Sequence, residues 1–265
     1  MLAIDQRESL RQMLSADAPT PVGNSALVAF KQLVVETLVS HASAVLIDRQ
    51  YGGAAAAAST RPVILAADLL SQSVPGGPVN VAVLDDEVTP EFASGFGAAA
   101  LKMLVPWAPD GRDEAVDLSA RFMDLCRRAG LPGIVEGVVR PEDIASWNDR
   151  DRNAALVEAA RDLATTKPDL YKAEVPSYGA GDPGAITETA SAITESVDCP
   201  WVVLSSGVTA ERFPSAVQAC VAGGAQGFLA GRAIWADATT ATDPRAFLED
   251  ESVRRLRLLS AAEYA

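Results

Sequence analysis

Short apolar runs recur along the chain, and each is followed by a polar stretch and then by a longer segment with helical spacing. This alternation is typical of repeated strand and helix units that build a parallel sheet. Strands that are covered on both faces read as nearly unbroken apolar runs. Eight runs have this character: Leu2–Asp5, Ala44–Asp48, Val63–Ala67, Ala99–Val105, Gly133–Val139, Leu170–Val175, Trp201–Ser205 and Gly227–Gly231.

Eight parallel strands favour a closed barrel, so the sequence predicts an α/β fold of the (β/α)8 TIM-barrel type. The 265 residues lie near the ~250 typical of one such barrel, and we expect a single domain over residues 1–265. The clearest helices are Arg112–Ala129, which Gly130 ends, and Asp149–Thr165, which is expected to open on an aspartate cap. The alanine run Ala54–Ala58 predicts the start of another helix.

Charge and hydropathy exclude several classes of partner. The net charge of −13 opposes binding to nucleic acid or to an anionic membrane surface, because both require a positive field. No apolar stretch approaches the ~18 residues of a membrane span. The N-terminus lacks the pattern of a secretory signal, which predicts a cytoplasmic protein. The widely spaced Cys126, Cys199 and Cys220 favour buried, reduced thiols over a disulfide framework.

Polar residues and glycines cluster where the predicted strands end. In a barrel of this kind the functional site lies at the C-terminal ends of the strands. These positions are therefore the candidates for chemistry, and several of them lie inside apolar runs. They are Asp5, Gln6, Asp48, Asp68, Lys102, Glu136, Arg140, Lys172, Glu174, Ser205, Ser206, Gly207, Gly231 and Arg232.

Two lysines, Lys102 and Lys172, are flanked by strand residues, where a charged ammonium is costly to bury. Burial and a neighbouring cation both favour the neutral amine that attacks a ketone, so the two lysines could activate one another. The alternative is that each lysine reaches outward or pairs with a carboxylate. Two strand lysines in one barrel favour the functional interpretation.

Two acidic residues compete for the role of acid/base group. Glu136 follows the apolar residues Gly133–Val135, and burial there could raise its pKa so that it shuttles protons. Asp5 is the competing candidate, with Gln6 orienting a substrate hydroxyl. The alternative for either acid is an ion pair with Arg140 or with one of the strand lysines, and the sequence does not separate these roles.

The segments SSGV and AGRAIW follow the seventh and eighth predicted strands, where many barrels build a phosphate site. Gly207 and Gly231 let backbone N–H groups approach an anion, Ser206 adds a hydroxyl and Arg232 adds a planar guanidinium. The alternative is two tight strand-to-helix turns with a surface arginine. The position after the last two strands favours an anion site.

Motifs from one end of the chain to the other resemble the class I aldolases of the tagatose-1,6-bisphosphate aldolase family, and most closely the bacterial sulfofructosephosphate aldolases. In related chains a further segment precedes the first strand, which here begins at residue 2. The motifs are AIDQRESLR at 3–11, HASAVLIDRQY at 41–51, AALKMLVPW at 99–107, VEGVVRP at 135–141, DLYKAEVPSYG at 169–179, PWVVLSSGV at 200–208 and GFLAGRAIWA at 227–236.

The resemblance implies a role for each candidate residue. Lys172 is the Schiff-base lysine, Lys102 is the second lysine beside it and Glu136 is the acid/base group. Asp5 and Gln6 contact ketose hydroxyls. The anionic ester is held by Ser206, Gly207, Gly231 and Arg232. The sequence does not identify the residues that bind the distal anion, for which Arg49, Arg140 and Gln6 are candidates.

The resemblance further implies the reaction. We expect cleavage of 6-deoxy-6-sulfofructose 1-phosphate to dihydroxyacetone phosphate and 3-sulfolactaldehyde, by a homo-oligomer whose partner is a small phosphorylated ketose. One alternative is a tagatose or fructose 1,6-bisphosphate aldolase, and another is a sugar-phosphate-binding barrel without turnover. His41 is the only histidine, so the ligand set of a zinc-dependent aldolase is lacking, and neither a metal nor an organic cofactor is expected.

Overall fold

A computed structural model describes residues 1–16, 18–72, 79–140, 147–205 and 207–262. Seven parallel strands form one curled sheet in the order β1-β2-β3-β6-β7-β8-β9, and β4 and β5 form a separate antiparallel hairpin. The strands are β1 (Leu2–Ala3), β2 (Val45–Asp48), β3 (Val63–Ala66), β4 (Asp68–Ser71), β5 (Val81–Leu84), β6 (Ala98–Trp107), β7 (Gly133–Val139), β8 (Leu170–Glu174) and β9 (Trp201–Leu204).

Residues 228–230 close the sheet into a barrel by lying between β9 and β1. Phe228 forms a parallel bridge with Val203, and Ala230 forms one with Leu2. The N–H of Leu229 donates to the carbonyl of Val203 over 2.9 Å, and the N–H of Ala3 donates to that of Ala230 over 2.8 Å. The eighth predicted strand is thus in its expected place, and the predicted (β/α)8 class is confirmed.

Helices cover the outside of the barrel. They are α1 (Glu8–Leu14), α2 (Asn24–Leu38), α3 (Gly53–Ala58), α4 (Pro90–Phe96), α5 (Arg112–Ala129), α6 (Asp149–Ala164), α7 (Pro183–Ser196), α8 (Phe213–Ala222), α9 (Arg232–Trp235), α10 (Pro244–Phe247) and α11 (Val253–Ala262). Short 3₁₀ turns lie at Val39–His41, Pro176–Gly179 and Ala236–Thr239, and a π turn lies at Leu248–Ser252. Among the described helices, none is both long and apolar enough to cross a membrane.

Local sequence signals set several helix ends. Helix α5 has the predicted bounds, and Gly130 ends it in the left-handed conformation with φ of 64°. The predicted aspartate cap of α6 is wrong, because Asn148 is the cap and its side chain accepts a hydrogen bond from the N–H of Asp151. Asp149 and Asp151 lie instead in the first turn, where acidic side chains interact favourably with the helix dipole and stabilise the helix.

The β4–β5 hairpin was not predicted from the sequence. It is inserted between the third and fourth barrel strands, and one side of β5 is exposed at Val81 and Val83. Its two strands have the short sequences DLLS and VAVL, and they lack the strand-then-helix alternation that identifies the barrel strands. Leu69, Leu70 and Ser71 of β4 line a cavity at the C-terminal end of the barrel.

The barrel interior is layered because successive strand residues point to opposite faces. A small apolar cluster fills the lower part of the interior, consisting of Ala3, Leu46, Ile64, Ala66, Ile134, Val202 and Leu229. Two residues further along their strands, Ile134 is followed by Glu136 and Leu46 by Asp48, both buried. The strand period therefore puts charged side chains directly above an apolar plug.

Cysteines are free thiols, as expected. Cys126 and Cys220 are buried, whereas Cys199 is only partly buried. Burial raises the pKa of the Cys126 and Cys220 thiols to about 12. These two side chains therefore pack as small apolar groups.

Lys31 joins helix α2 to the barrel interior although its side chain is wholly buried. Its ammonium donates to the carbonyls of Ile4 and Gln6 over 2.6 and 2.7 Å, and to the carboxylate of Asp48. All three ammonium donors are satisfied, and the turn after β1 is held against α2. This ion pair fixes the position of the residues that follow the first strand.

We expect Lys31→Met to lower the free energy of unfolding by about 3–5 kcal/mol, because it leaves a buried carboxylate without its ammonium. The ion pair between Arg245 of α10 and Glu36 of α2 provides a matched surface control, since both side chains are exposed. Arg245→Met should cost under about 1 kcal/mol. Urea unfolding followed by circular dichroism measures both variants, and equal losses would contradict the buried role of Lys31.

Candidate active site

A cavity of about 810 Å³ opens at the C-terminal ends of the barrel strands. It is the place where a barrel of this kind builds its site. Most of the predicted site residues line it, whereas Asp48, Arg49 and Asp68 do not, and Ser206 lies outside the described residues. The lining predicted from sequence comprises Asp5, Gln6, Lys102, Glu136, Arg140, Lys172, Gly207, Gly231 and Arg232.

A buried ammonium stands at the centre of the cavity floor. The Nζ atom of Lys102 lies 3.0 Å from Asp5 Oδ2, 3.1 Å from Asp68 Oδ2 and 2.9 Å from Glu136 Oε2. Asp5 follows β1, Asp68 begins β4 and Glu136 lies within β7, whereas Lys102 projects from β6. Four separate strands therefore meet at one charge.

Glu136 connects the two strand lysines. Its Oε2 atom lies 2.9 Å from the ammonium of Lys102 and 3.0 Å from that of Lys172. Glu136 and Lys172 are paired across neighbouring strands β7 and β8, so the backbone register sets their contact. Both lysines are almost completely buried. The arrangement places one buried carboxylate between the side chains of two buried lysines.

The expectation that burial makes Lys102 a neutral amine is wrong. Burial alone would lower the pKa of Lys102, but Asp5, Asp68 and Glu136 outweigh it and raise the pKa well above its ordinary value. Lys102 is therefore a permanent cation. The correction arises because carboxylates from three other strands converge on it, which its own sequence neighbours do not reveal.

The expected increase in the pKa of Glu136 is also wrong. Burial acts to raise the pKa of Glu136, but the ammonium groups of Lys102 and Lys172 lower it below the ordinary value. Burial likewise acts to raise the pKa of Asp5, and the same two lysines lower it overall. Both acids are carboxylates at neutral pH, in the form that accepts a proton.

Arg7 extends the charge cluster outward and was not predicted as a site residue. Its guanidinium donates to Asp68 over 3.2 Å and lies 4.0 Å from Asp48, whose other oxygen accepts from Lys31. The sequence did signal the buried partner of Asp48, because Lys31 interrupts an apolar stripe at helical spacing on α2. That stripe consists of Leu27, Phe30, Val34, Val35 and Leu38.

Arg140 lines the cavity, but much of its donor capacity is used within the protein. Its Nη1 donates to both carboxylate oxygens of Glu174 at 3.2 and 3.3 Å and to the carbonyl of Val139 at 2.7 Å. Its Nε donates to the carbonyl of Val79. Arg49 lies outside the cavity lining and pairs with Asp85.

The predicted anion site has an available guanidinium. Arg232 is exposed and, among the described residues, forms no ion pair. Gly207 has φ of 73°, which a residue with a Cβ rarely adopts. At Gly231 a Cβ would stand 2.5 Å from the carbonyl oxygen of Ala3, so only glycine fits this approach to β1. Both glycines keep this side of the cavity free of side chains.

Gln6 presents a buried acceptor to the cavity. Its Oε1 atom has no hydrogen-bond partner among the described residues, although it is shielded from solvent. An unsatisfied buried acceptor is costly, and a hydroxyl donor would satisfy it. His41 lies in the turn before β2 and not in the cavity lining. Among the described residues, no group of His, Cys, Asp and Glu is arranged to hold a metal ion.

Sequence comparisons all match this chain to aldolases. Residues 1–237 match the profile of a family described as DeoC/LacD family aldolase. The chain is 29% identical over 265 residues to tagatose 1,6-diphosphate aldolase of Listeria monocytogenes, covering 89% of this chain and 77% of the relative. It is also 29% identical over 265 residues to tagatose 1,6-diphosphate aldolase 1 of Streptococcus pyogenes, covering 89% and 80% respectively.

Solved structures share the fold at low sequence identity. Fructose-bisphosphate aldolase from Plasmodium falciparum aligns with a TM-score of 0.75 at 13% identity, covering 99% of this chain and 89% of that one. An archaeal fructose-1,6-bisphosphate aldolase, with its catalytic lysine bound to a carbinolamine intermediate, aligns with a TM-score of 0.67 at 18% identity. That alignment covers 100% of this chain and 94% of the other. These alignments support the barrel fold.

Lys102→Met should reverse the response of stability to acid. In the wild type, the lowered pKa values of Asp5 and Glu136 stabilise the fold above about pH 4, and this contribution is lost on further acidification. Without Lys102, the two carboxylates repel one another and favour protonation. The unfolding free energy of the variant should therefore rise between about pH 7 and pH 5.

Urea unfolding at a series of pH values measures this response, with Lys102→Arg as the control that keeps the positive charge. The control should follow the wild type, whose stability changes little until about pH 4 and then falls. The same pH dependence in Lys102→Met and Lys102→Arg would contradict the role of Lys102 as the shared counter-ion.

Proposed function

Because the chain belongs to the DeoC/LacD family of aldolases, and is therefore a lyase, we propose that it is a class I aldolase with Lys172 as its Schiff-base lysine. The observation that carries this proposal is the contact of 3.0 Å between the buried Lys172 ammonium and Glu136, beside the permanent cation of Lys102. A nucleophilic amine needs an adjacent base and a site that excludes water. Glu136 and the cavity floor supply both.

The proposed reaction begins when Glu136 takes a proton from Lys172 and the amine attacks the C2 carbonyl of a ketose. Glu136 then returns a proton to the departing C2 hydroxyl, which leaves as water, and an iminium remains on Lys172. Lys102 does not take part in covalent chemistry, because its raised pKa keeps it an ammonium. Its role is to hold the Glu136 carboxylate between the two lysines.

Glu136 next accepts the proton of the C4 hydroxyl, since its lowered pKa keeps it ionised. The C3–C4 bond breaks, an aldehyde leaves, and the bonding electrons pass into the iminium to give an enamine. Protonation at C3 and addition of water release the ketone product and restore Lys172. The water consumed balances the water released during iminium formation. Asp5 and the unpartnered Oε1 of Gln6 are placed to contact substrate hydroxyls.

We propose that the substrate is a ketose 1-phosphate whose ester is held by Gly207, Gly231 and Arg232, with Ser206 as a further donor. The finer proposal is 6-deoxy-6-sulfofructose 1-phosphate, cleaved to dihydroxyacetone phosphate and 3-sulfolactaldehyde. The charge balance supports it. Arg140 is paired with Glu174 and Arg7 with Asp68, so less positive charge is left for a second dianion.

Tagatose 1,6-bisphosphate is the second candidate substrate, and fructose 1,6-bisphosphate is its close analogue. The observation that favours tagatose 1,6-bisphosphate is the 29% identity to tagatose 1,6-diphosphate aldolases over 89% of this chain. The candidates differ at C6, where one carries a sulfonate monoanion and the others carry a phosphate. Arg140 is the cavity cation that we propose would contact the C6 group, although its guanidinium already forms an ion pair with Glu174.

Borohydride added with dihydroxyacetone phosphate should form a permanent adduct on Lys172. Trypsin normally cleaves after Lys172 but not after Lys167, which precedes a proline. Reductive alkylation of Lys172 blocks this cleavage, so the adduct should appear by mass spectrometry in one peptide spanning residues 162–212.

Two arginine substitutions provide matched controls for the trapping experiment. Lys172→Arg keeps a cation beside Glu136 but cannot form an imine, so both the adduct and turnover should vanish while the fold remains. Lys102→Arg keeps the cation beside Glu136 and should still be trapped. Turnover without an adduct would overturn the Schiff-base proposal, and an adduct without turnover of any tested ketose would support a binding barrel instead.

The ratio of kcat/KM on the two substrate types decides between them. We expect sulfofructose 1-phosphate to exceed tagatose 1,6-bisphosphate by at least about tenfold, because each 1.4 kcal/mol of differential transition-state binding gives a factor of ten. Coupled assays of the shared product, dihydroxyacetone phosphate, measure both reactions on the same scale. A ratio in favour of the bisphosphate would identify tagatose 1,6-bisphosphate as the substrate in place of sulfofructose 1-phosphate, and it would not affect the proposed aldolase mechanism.

A further inference from the structure

The chain enters an unusual backbone conformation just after the strand that carries Lys172. Ser177 has φ of 49° and ψ of 28°, and Tyr178 has φ of 50° and ψ of 31°. Both lie in the left-handed region, which is sterically unfavourable for residues with a Cβ. Two such residues in succession persist only where their surroundings hold them, and such backbone is concentrated at functional sites.

Two consecutive side chains near the start of α6 hold this turn. Asn153 accepts a hydrogen bond from the N–H of Ser177 over 2.8 Å and donates one to the Ser177 hydroxyl over 2.9 Å. Arg152 is buried and places its guanidinium carbon 3.7 Å from the centroid of the Tyr178 ring. It also donates to the carbonyl of Val175 over 3.0 Å. Backbone and ring are therefore both fixed from the same helix.

The Tyr178 ring is held against the glycine of the proposed anion site. A Cβ at Gly207 would lie 2.7 Å from Tyr178 Cδ1 and 3.0 Å from Cε1, so the ring occupies the space where a side chain would stand. Tyr178 and Gly207 both line the cavity. The loop after β9 thus has an aromatic wall on one side, provided by the loop after β8.

We propose that Tyr178 is a positioning residue for the anionic ester, an inference that rests on the proposed function. Its ring packs on Gly207 and keeps the backbone at Gly207 in the conformation that receives the anion. Arg152 and Asn153 keep the ring in place. The strained turn therefore couples the strand that bears Lys172 to the site that holds the phosphate, so that the C2 carbonyl and the neighbouring C1 phosphate are placed relative to Lys172.

Isothermal titration with inorganic phosphate tests this proposal directly, because it needs no turnover. Tyr178→Ala should raise the Kd for phosphate by at least about tenfold, whereas Tyr178→Phe keeps the ring and should stay within about twofold of the wild type. In steady-state assays the alanine variant should raise KM for the phosphorylated ketose far more than it lowers kcat. Borohydride trapping of unphosphorylated dihydroxyacetone on Lys172 should be unchanged.

Asn153→Ala is a second variant that loosens the turn while leaving the Tyr178 ring intact, and it should weaken phosphate binding in the same direction. If Tyr178→Ala fails to fold, Asn153→Ala still tests the proposal. Unchanged phosphate affinity in the folded variants would overturn the inference, as would equal losses in Tyr178→Ala and Tyr178→Phe, since these would assign the effect to the hydroxyl. A wild type that binds no phosphate would instead remove the anion site of the proposed function, and this inference with it.

Discussion

The carboxylate of Glu136, shared between the ammonium groups of Lys102 and Lys172, is the interaction on which the rest of the site depends. Two buried cations in one barrel would be strongly unfavourable without counter-ions, because desolvation and mutual repulsion act in the same direction. Glu136 lies within 3.0 Å of both. Asp5 and Asp68 complete the contacts of the Lys102 ammonium and help to raise its pKa.

The barrel makes this cluster possible by dividing its interior into layers. Apolar side chains fill the interior below, and the strand period of two places the charged residues one layer higher, at the floor of the cavity. Outside the strands, Lys31 reaches inward from α2 to Asp48, and Arg7 bridges Asp48 and Asp68. Each added charge lies next to one of opposite sign, so the desolvation cost is offset pair by pair.

Periodicity was sufficient to predict the barrel and many of the residues around its cavity, because both follow from local patterns at strand ends, but it did not predict Arg7 or the β4–β5 hairpin. The charge states were not predictable in this way. The pKa directions of Lys102 and Glu136 depend on carboxylates and cations contributed by strands far away in the sequence. The turn at Ser177 and Tyr178 was also unpredictable, since neither residue type signals a left-handed backbone and the cause lies in α6.

The cluster also bears on which reaction intermediates the site favours. The carboxylates of Asp5, Asp48, Asp68 and Glu136 face four cations, Lys31, Arg7, Lys102 and Lys172, so the charges balance when all are ionised. In the proposed mechanism an iminium on Lys172 faces an ionised Glu136, whereas a neutral amine or an enamine on Lys172 faces a protonated Glu136, so this balance is kept at each step. The proton that moves between Glu136 and the reacting groups therefore spares the buried network an unpaired charge, which would be costly to bury, while the carbon–carbon bond breaks.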